Sequence, residues 1–300
     1  MTTESLIRIL TLVSLGGLLF AVGLRLTLSQ IVESLRRCRP APLLLINFAG
    51  VPLLAAGLTR LFALDSERSA AMILLAAAPF APVVPVFARM AHADLALAAA
   101  LTTVFPLLCV GGTPAACLIG FHLTDEHAAI RFNATATLLT LSAAIALPVG
   151  AGVLLRRISP AAGRRLLRPI EVAAEAAGAL ALVFVTATEA RAVLATGWRP
   201  LLAMAILSEA SLFLGRLCAR GTEPSRRVLA LGTSNRNIAL AILLALDNFS
   251  GGAVLPGVVA NGILLIALGL VHVAYWRFVR PGKDPPVVYE TAPSLPGTAE

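Results

Sequence analysis

Nine apolar runs follow one another between residues 5 and 278, parted only by short charged or Gly- and Pro-rich stretches. They lie near 5–27, 41–64, 69–90, 94–121, 130–154, 169–190, 197–218, 226–247 and 253–278. A helix needs about 20 apolar residues to cross the hydrocarbon core of a bilayer, so each run is long enough for one crossing. Charged residues make up 13% of the chain, against roughly 25% in an ordinary soluble domain. Such a chain cannot dress a soluble globular enzyme, and the segments between runs are too short for a second, soluble domain. The runs therefore predict an all-α membrane protein with nine transmembrane helices in one unit.

The net charge of +8 would point to nucleic acid in a soluble protein. In a membrane protein it reports orientation, because Lys and Arg collect in cytoplasmic loops, and no nucleic-acid partner is expected. Sixteen of the 24 basic residues follow odd-numbered runs: Arg36, Arg37, Arg39, Arg89, Arg156, Arg157, Arg164, Arg165, Arg168, Arg216, Arg220, Arg226, Arg227, Arg277, Arg280 and Lys283. Six lie on the other side (Arg8, Arg60, Arg68, Arg131, Arg191, Arg199), and Arg25 and Arg236 fall inside runs. The imbalance places the N-terminus outside and the C-terminus in the cytoplasm. Arginine outnumbers lysine 23 to one and alanine is abundant, which fits a GC-rich bacterium and hence the bacterial inner membrane. Cys38, Cys109, Cys117 and Cys218 show no metal or redox spacing and read as small apolar residues.

Two runs break the rules of a membrane helix. The third reads Ala78-Pro79-Phe80-Ala81-Pro82-Val83-Val84-Pro85 at its centre. An interior proline removes a backbone donor and clashes with the preceding turn, at about 3 kcal/mol. Three at this spacing predict an interruption, buried in protein or lining a wet cavity because freed carbonyls cannot face lipid. The eighth reads Gly232-Thr233-Ser234-Asn235-Arg236-Asn237 between aliphatic flanks. Neither half alone can span a bilayer, so an unwound helix at mid-depth is expected. Arg236 there costs roughly 2.5–3.5 kcal/mol on insertion scales. Paired interrupted helices point to a transporter site at the bilayer midplane.

Within these breaks, Thr233, Ser234, Asn235 and Asn237 are expected to line the site or cap half-helices, and Pro82 to border it. Arg236 offers a planar fork suited to a carboxylate. Glu209, mid-way along the seventh run, is its expected buried charge partner, with either a structural or a switching role. Thr102 and Thr103 are expected to bond back to their own helix. Asn261 reads equally as packing glue or a ligand contact, and Glu171 and Glu175 as interfacial charge pairs at helical spacing. An intramembrane enzyme would need a buried nucleophile with its base, a carboxylate dyad or metal ligands. None is legible, so neither catalysis nor a metal or cofactor is expected.

With these residues in view the chain resembles the bile acid:sodium symporter family over roughly residues 10–278. The likeness rests on residues 16–27 (GGLLFAVGLRLT), Asn47-Phe-Ala-Gly-Val-Pro52, Pro79–Pro85 with the Thr102-Thr103 helix after it, residues 232–241, and the last run from Pro256 to Trp276. It implies two inverted repeats lacking one early helix, with two crossing discontinuous helices. It also implies a panel (1–40 and 128–195) against a core (41–127 and 196–278) with solute between them; residues 279–300, rich in Pro, Gly and Ser, read from composition as a disordered cytoplasmic tail. The family's sodium ligands correspond here to Val84, Pro85, Ala98, Thr102 and Gly232 for one ion, and to Asn47 and Arg236 among those of the second. Only Thr102 is retained, the family glutamate is a glycine, and a guanidinium repels a cation at low dielectric.

The sequence thus reads as a secondary transporter of a small organic anion, working by alternating access without tight sodium coupling. Two alternatives stay open: a sodium-coupled organic-acid or bile-acid-like symporter, and an arsenite-type efflux carrier using Cys109 or Cys117. The partners expected are an anionic solute and the lipid bilayer, and the oligomeric state is not legible.

Overall fold

The computed structural model describes residues 3–25, 28–124, 132–249 and 252–279. Arg131, Arg280, Lys283 and all of the tail expected to be disordered except Val279, which ends a helical turn, lie outside the described residues. Thirteen helices account for nearly all the rest: α1 (Thr3–Arg25), α2 (Leu28–Leu35), α3 (Pro40–Leu61), α4 (Ser66–Ala76), α5 (Val84–Met90), α6 (Leu95–Leu123), α7 (Ala134–Ile158), α8 (Pro160–Thr188), α9 (Ala190–Leu194), α10 (Trp198–Leu217), α11 (Glu223–Ser234), α12 (Ile238–Asn248) and α13 (Val254–Phe278). Eight segments are long and apolar enough to cross a membrane, with Glu223–Asn248 counted as one. The remaining expected crossing corresponds to α4 plus α5, each too short alone to count as a span because the prolines part them. Pro79 and Pro82 fall inside the gap, whereas Pro85 sits in the first turn of α5, where its missing N–H leaves no helical bond unmade.

Three boundaries differ from the sequence reading. The amphipathic α2 sits where only a basic loop was expected; eight residues are too few to register as a crossing. The π-helical turn Ile46–Gly50 interrupts α3 just ahead of Pro52. Most consequentially, α8 starts at Pro160, nine residues before the expected 169, with the Ser159 hydroxyl accepting from the Ala162 N–H at the N-cap. Arg164, Arg165 and Arg168 therefore ride on a helix rather than in a loop. The apolar pattern begins late because that first stretch is the helix's polar end.

Loops that follow odd-numbered crossings gather at one end. Arg39 N–H donates to the Cys218 carbonyl at 2.8 Å and Arg220 N–H to that of Arg37 at 2.9 Å. Both oxygens of buried Asp94 take Arg37 Nη1, at 2.9 and 2.8 Å; one also accepts the Ser225 hydroxyl at 3.1 Å and the other caps α6 through Leu97 N–H. The loops after the second, sixth and eighth crossings gather at the other end. There Arg68 donates to the carbonyls of Ala195 and Thr196, and Glu67 accepts from Ala253 N–H. Asp94→Ala should lower stability by about 2–3 kcal/mol, since a buried pair is broken but Arg37 keeps a third of its surface in solvent. Thermal unfolding of the detergent-purified protein would register this as a drop of several degrees, and an unchanged transition would contradict it.

All four cysteines are free and buried. Burial pushes the loop thiol of Cys38 up to about 11 and raises that of Cys218 as well, so both are unreactive at neutral pH.

Candidate functional site

The two interruptions meet. Ala81 N–H donates to the carbonyl of Asn235 at 3.1 Å, and Asn237 N–H donates to that of Ala78 at 2.8 Å. Each break thereby satisfies backbone groups that the other left without a helical partner, the condition for irregular chain at membrane depth. Thr113 of α6 takes up the next carbonyl, donating its hydroxyl to Ala77 at 2.7 Å. Phe80 holds the crossing in place: its φ is +56°, uncommon for a residue with a side chain. Its fully buried ring stacks on Phe105 at 4.0 Å and lies over Gly232.

Arg236 leaves this crossing 2% exposed. Its Nη1 donates to Asn47 Oδ1 at 3.2 Å, while Nη2 is buried and has no hydrogen-bond partner. Asn47 is itself held, its amide donating to the Leu43 carbonyl at 2.9 Å and to the Thr233 hydroxyl at 3.3 Å. The guanidinium is thus aimed by one neutral amide, with half its fork unspent.

Glu209 is not its partner. The Glu209 side chain is half-exposed on the outer face of α10 and meets His272 of α13 at 2.9 Å. Depth along a span was legible in the sequence; rotation about the helix axis was not. Packing turns Leu207, Ser208 and Ser211 inward and leaves Glu209 outward.

A cavity of about 390 Å³ opens beside the crossing. One wall is the breaks themselves, with Pro82, Asn235, Arg236 and Asn237; the facing wall is α1 and α8, with Thr11, Ser14 and Glu175. Most of the remaining lining is aliphatic, including Val83, Ile238, Ile242 and Leu265. The first turn of α12, capped by Asn237 Oδ1 on Leu240 N–H, adds the positive end of a helix dipole. A second cavity of about 180 Å³ shares Leu18, Pro82, Val86 and Glu175 with the first and carries it toward the basic end past Arg25, Arg89 and Arg168.

Of the residues expected at the site, Pro82, Asn235, Arg236 and Asn237 border the larger cavity, and Pro82 and Thr102 the smaller. Thr102 also donates to the carbonyls of Ala98 and Ala99, and Thr103 to that of Ala99. Asn47, Thr233 and Ser234 stand behind the wall; the Ser234 hydroxyl donates to the Leu231 carbonyl and accepts from the Asn235 amide. Cys109 and Cys117 border neither cavity. Thr11, Ser14 and Glu175 were not foreseen as site residues. Reading α8 from 169 put Glu175 near a helix end, whereas in Pro160–Thr188 it is central. Its neighbour Glu171 behaves as expected, pairing with Arg25 and, at 3.9 Å, with Arg168.

No group of three or more His, Cys, Asp or Glu side chains that could hold a metal occurs among the described residues. The arrangement offers fixed positive charge, amides and a dipole to an anion. The Phe80 ring covers Gly232, and the second break carries no carboxylate at that point. Residues 12–196 match the family described as the Sodium Bile acid symporter family. No curated protein matches the chain at significant similarity.

Proposed function

Because this chain belongs to the sodium bile acid symporter family, we propose that it is a secondary active transporter that moves a small organic anion by alternating access. The observation that carries the reading is Arg236: a buried guanidinium that forms no ion pair among the described residues, fixed by Asn47 on the wall of a cavity that both helix breaks border. A cation in that position supports recognition of a carboxylate and opposes a sodium ion. With Gly232 in place of a carboxylate and Phe80 packed on it, the reading is transport without tight sodium coupling.

In this proposal α1, α7 and α8, which pack chiefly on one another, form the panel, and the remaining crossings form the core. The α4/α5 and α11/α12 pairs are the corresponding broken helices of two inverted repeats. The core rocks against the panel around solute held at the crossing. The arginine-rich end lies in the cytoplasm of a bacterium and the N-terminus outside, so the cavity that runs past Arg25, Arg89 and Arg168 is the cytoplasmic access route.

Uptake of radiolabelled organic acids into proteoliposomes, with sodium, proton and counter-solute gradients imposed one at a time, tests this. Replacing sodium by choline should change the initial rate by less than about twofold. A strict sodium requirement would return the chain to the sodium-coupled reading, and no gradient-dependent uptake of any organic acid would overturn the transport proposal.

A further inference from the structure

We infer that the solute is bipolar, with a carboxylate held by Arg236 and an ammonium group at its other end held by Glu175. The inference rests on the larger cavity being the transport site and adds the second pole. Arg236 and Glu175 are the charged side chains among the described residues lining that cavity, and they come from opposite walls, the helix break and α8. A guanidinium has donors only and an ionised carboxylate acceptors only, so each end of the solute is specified in opposite sense. Thr11, on the α1 wall, is 1% exposed, and its hydroxyl has no partner. It is one more polar atom set aside on the Glu175 side. The rest of the lining is mostly aliphatic, which suits a methylene spacer, and about 390 Å³ accommodates a molecule of amino-acid size.

Glu175 forms no hydrogen bond or ion pair among the described residues, whereas Glu171 does. Glu171, one turn earlier, takes Arg25 and Arg168. Arg25 of α1 lies within electrostatic reach of Glu175, and Arg89 of α5 borders the smaller cavity with it. Both line the smaller cavity and not the larger one, so Glu175 is the one carboxylate that the larger cavity offers to solute among the described residues. A single-headed anion would satisfy Arg236 and strand the panel carboxylate; a solute with both charges satisfies both walls.

The test is titration calorimetry of the purified full-length protein with two matched series. One is butyrate, valerate and hexanoate; the other is their ω-amino counterparts. At least one amino acid should bind ten-fold or more tighter than the carboxylate of its length. Glu175→Gln should bring that ratio to about one while carboxylate binding persists, and Glu175→Asp should shift the preference toward a longer spacer. Arg236→Gln should remove binding of both series, and thermal unfolding verifies that each variant is folded.

Arg236-dependent binding of carboxylates with no amine preference overturns this inference and leaves the transport reading standing. Binding that ignores Arg236 overturns both. If Glu175→Gln abolishes proton movement during uptake but the amine preference survives, the carboxylate is a proton carrier and the inference fails.

Discussion

Arg236→Gln is expected to abolish solute uptake while leaving the folded protein at least as stable as before. Loss of one partner from a desolvated, hydrogen-bonded charge pair costs about 2–5 kcal/mol, which is roughly 30- to 4000-fold in affinity for an anionic solute. Stability should move the other way. Removing one member of a buried ion pair would destabilise by about 3–5 kcal/mol, but Arg236 has Asn47 rather than a carboxylate beside it, and its Nη2 is unsatisfied. Taking away a desolvated charge that nothing offsets relieves the fold instead. Gln keeps an amide that can still meet Asn47. Arg236→Lys, which keeps charge but not the fork, should retain weak uptake. Proteoliposome uptake paired with thermal unfolding separates the outcomes. Normal uptake would remove Arg236 from the site, and a large fall in melting temperature would mean that the guanidinium is structural.

Gly232→Ala is expected to destabilise the fold strongly. A Cβ built at Gly232 falls 2.0 Å from Phe80 Cε1 and 2.4 Å from its Cζ. The ring cannot retreat: it is fully buried, stacked at 4.0 Å on Phe105, and carried by a residue already at positive φ. Overpacking a rigid site typically costs about 1–3 kcal/mol, occasionally more, and here the displaced ring also pulls on the Ala81–Asn235 hydrogen bond that joins the two breaks. The expected result is loss of the monodisperse, folded species in detergent. A double variant, Gly232→Ala with Phe80→Leu, should recover much of the folded protein by vacating the ring position. If Gly232→Ala alone behaves as wild type, Phe80 is free to move and does not lock the crossing.

The membrane explains why so much was legible before any coordinates. Acyl chains offer no hydrogen bonds, so every crossing must satisfy its own backbone, and any segment that cannot is marked by its residues. Pro79, Pro82 and Pro85 announced one break and residues 232–237 the other, at the depths where they occur. The arginines announced which loops share an end, and Arg37, Arg39 and Arg220 do meet there. The family match adds that the chain is a transporter by descent, although residues 12–196 stop short of the second break.

What remained was azimuth and mutual approach. A residue's depth follows from counting along a span, but the face it occupies depends on how that helix packs, and packing is decided by partners far away in sequence. Hence Glu209 sits at the expected depth and points outward to His272, while Glu175, hidden in a stretch whose helix starts earlier than its apolar pattern, faces the cavity. The π-helical turn that presents Asn47, the stacking of Phe80 over Gly232, and the backbone bonds between Ala78–Ala81 and Asn235–Asn237 are likewise agreements between distant segments. The sequence by itself determined that the chain spans a membrane, where its two helices break and that a positive charge lies at one break, because these are local consequences of solvation. Only the tertiary structure decided what that charge faces, because that depends on the rotation and contact of whole helices.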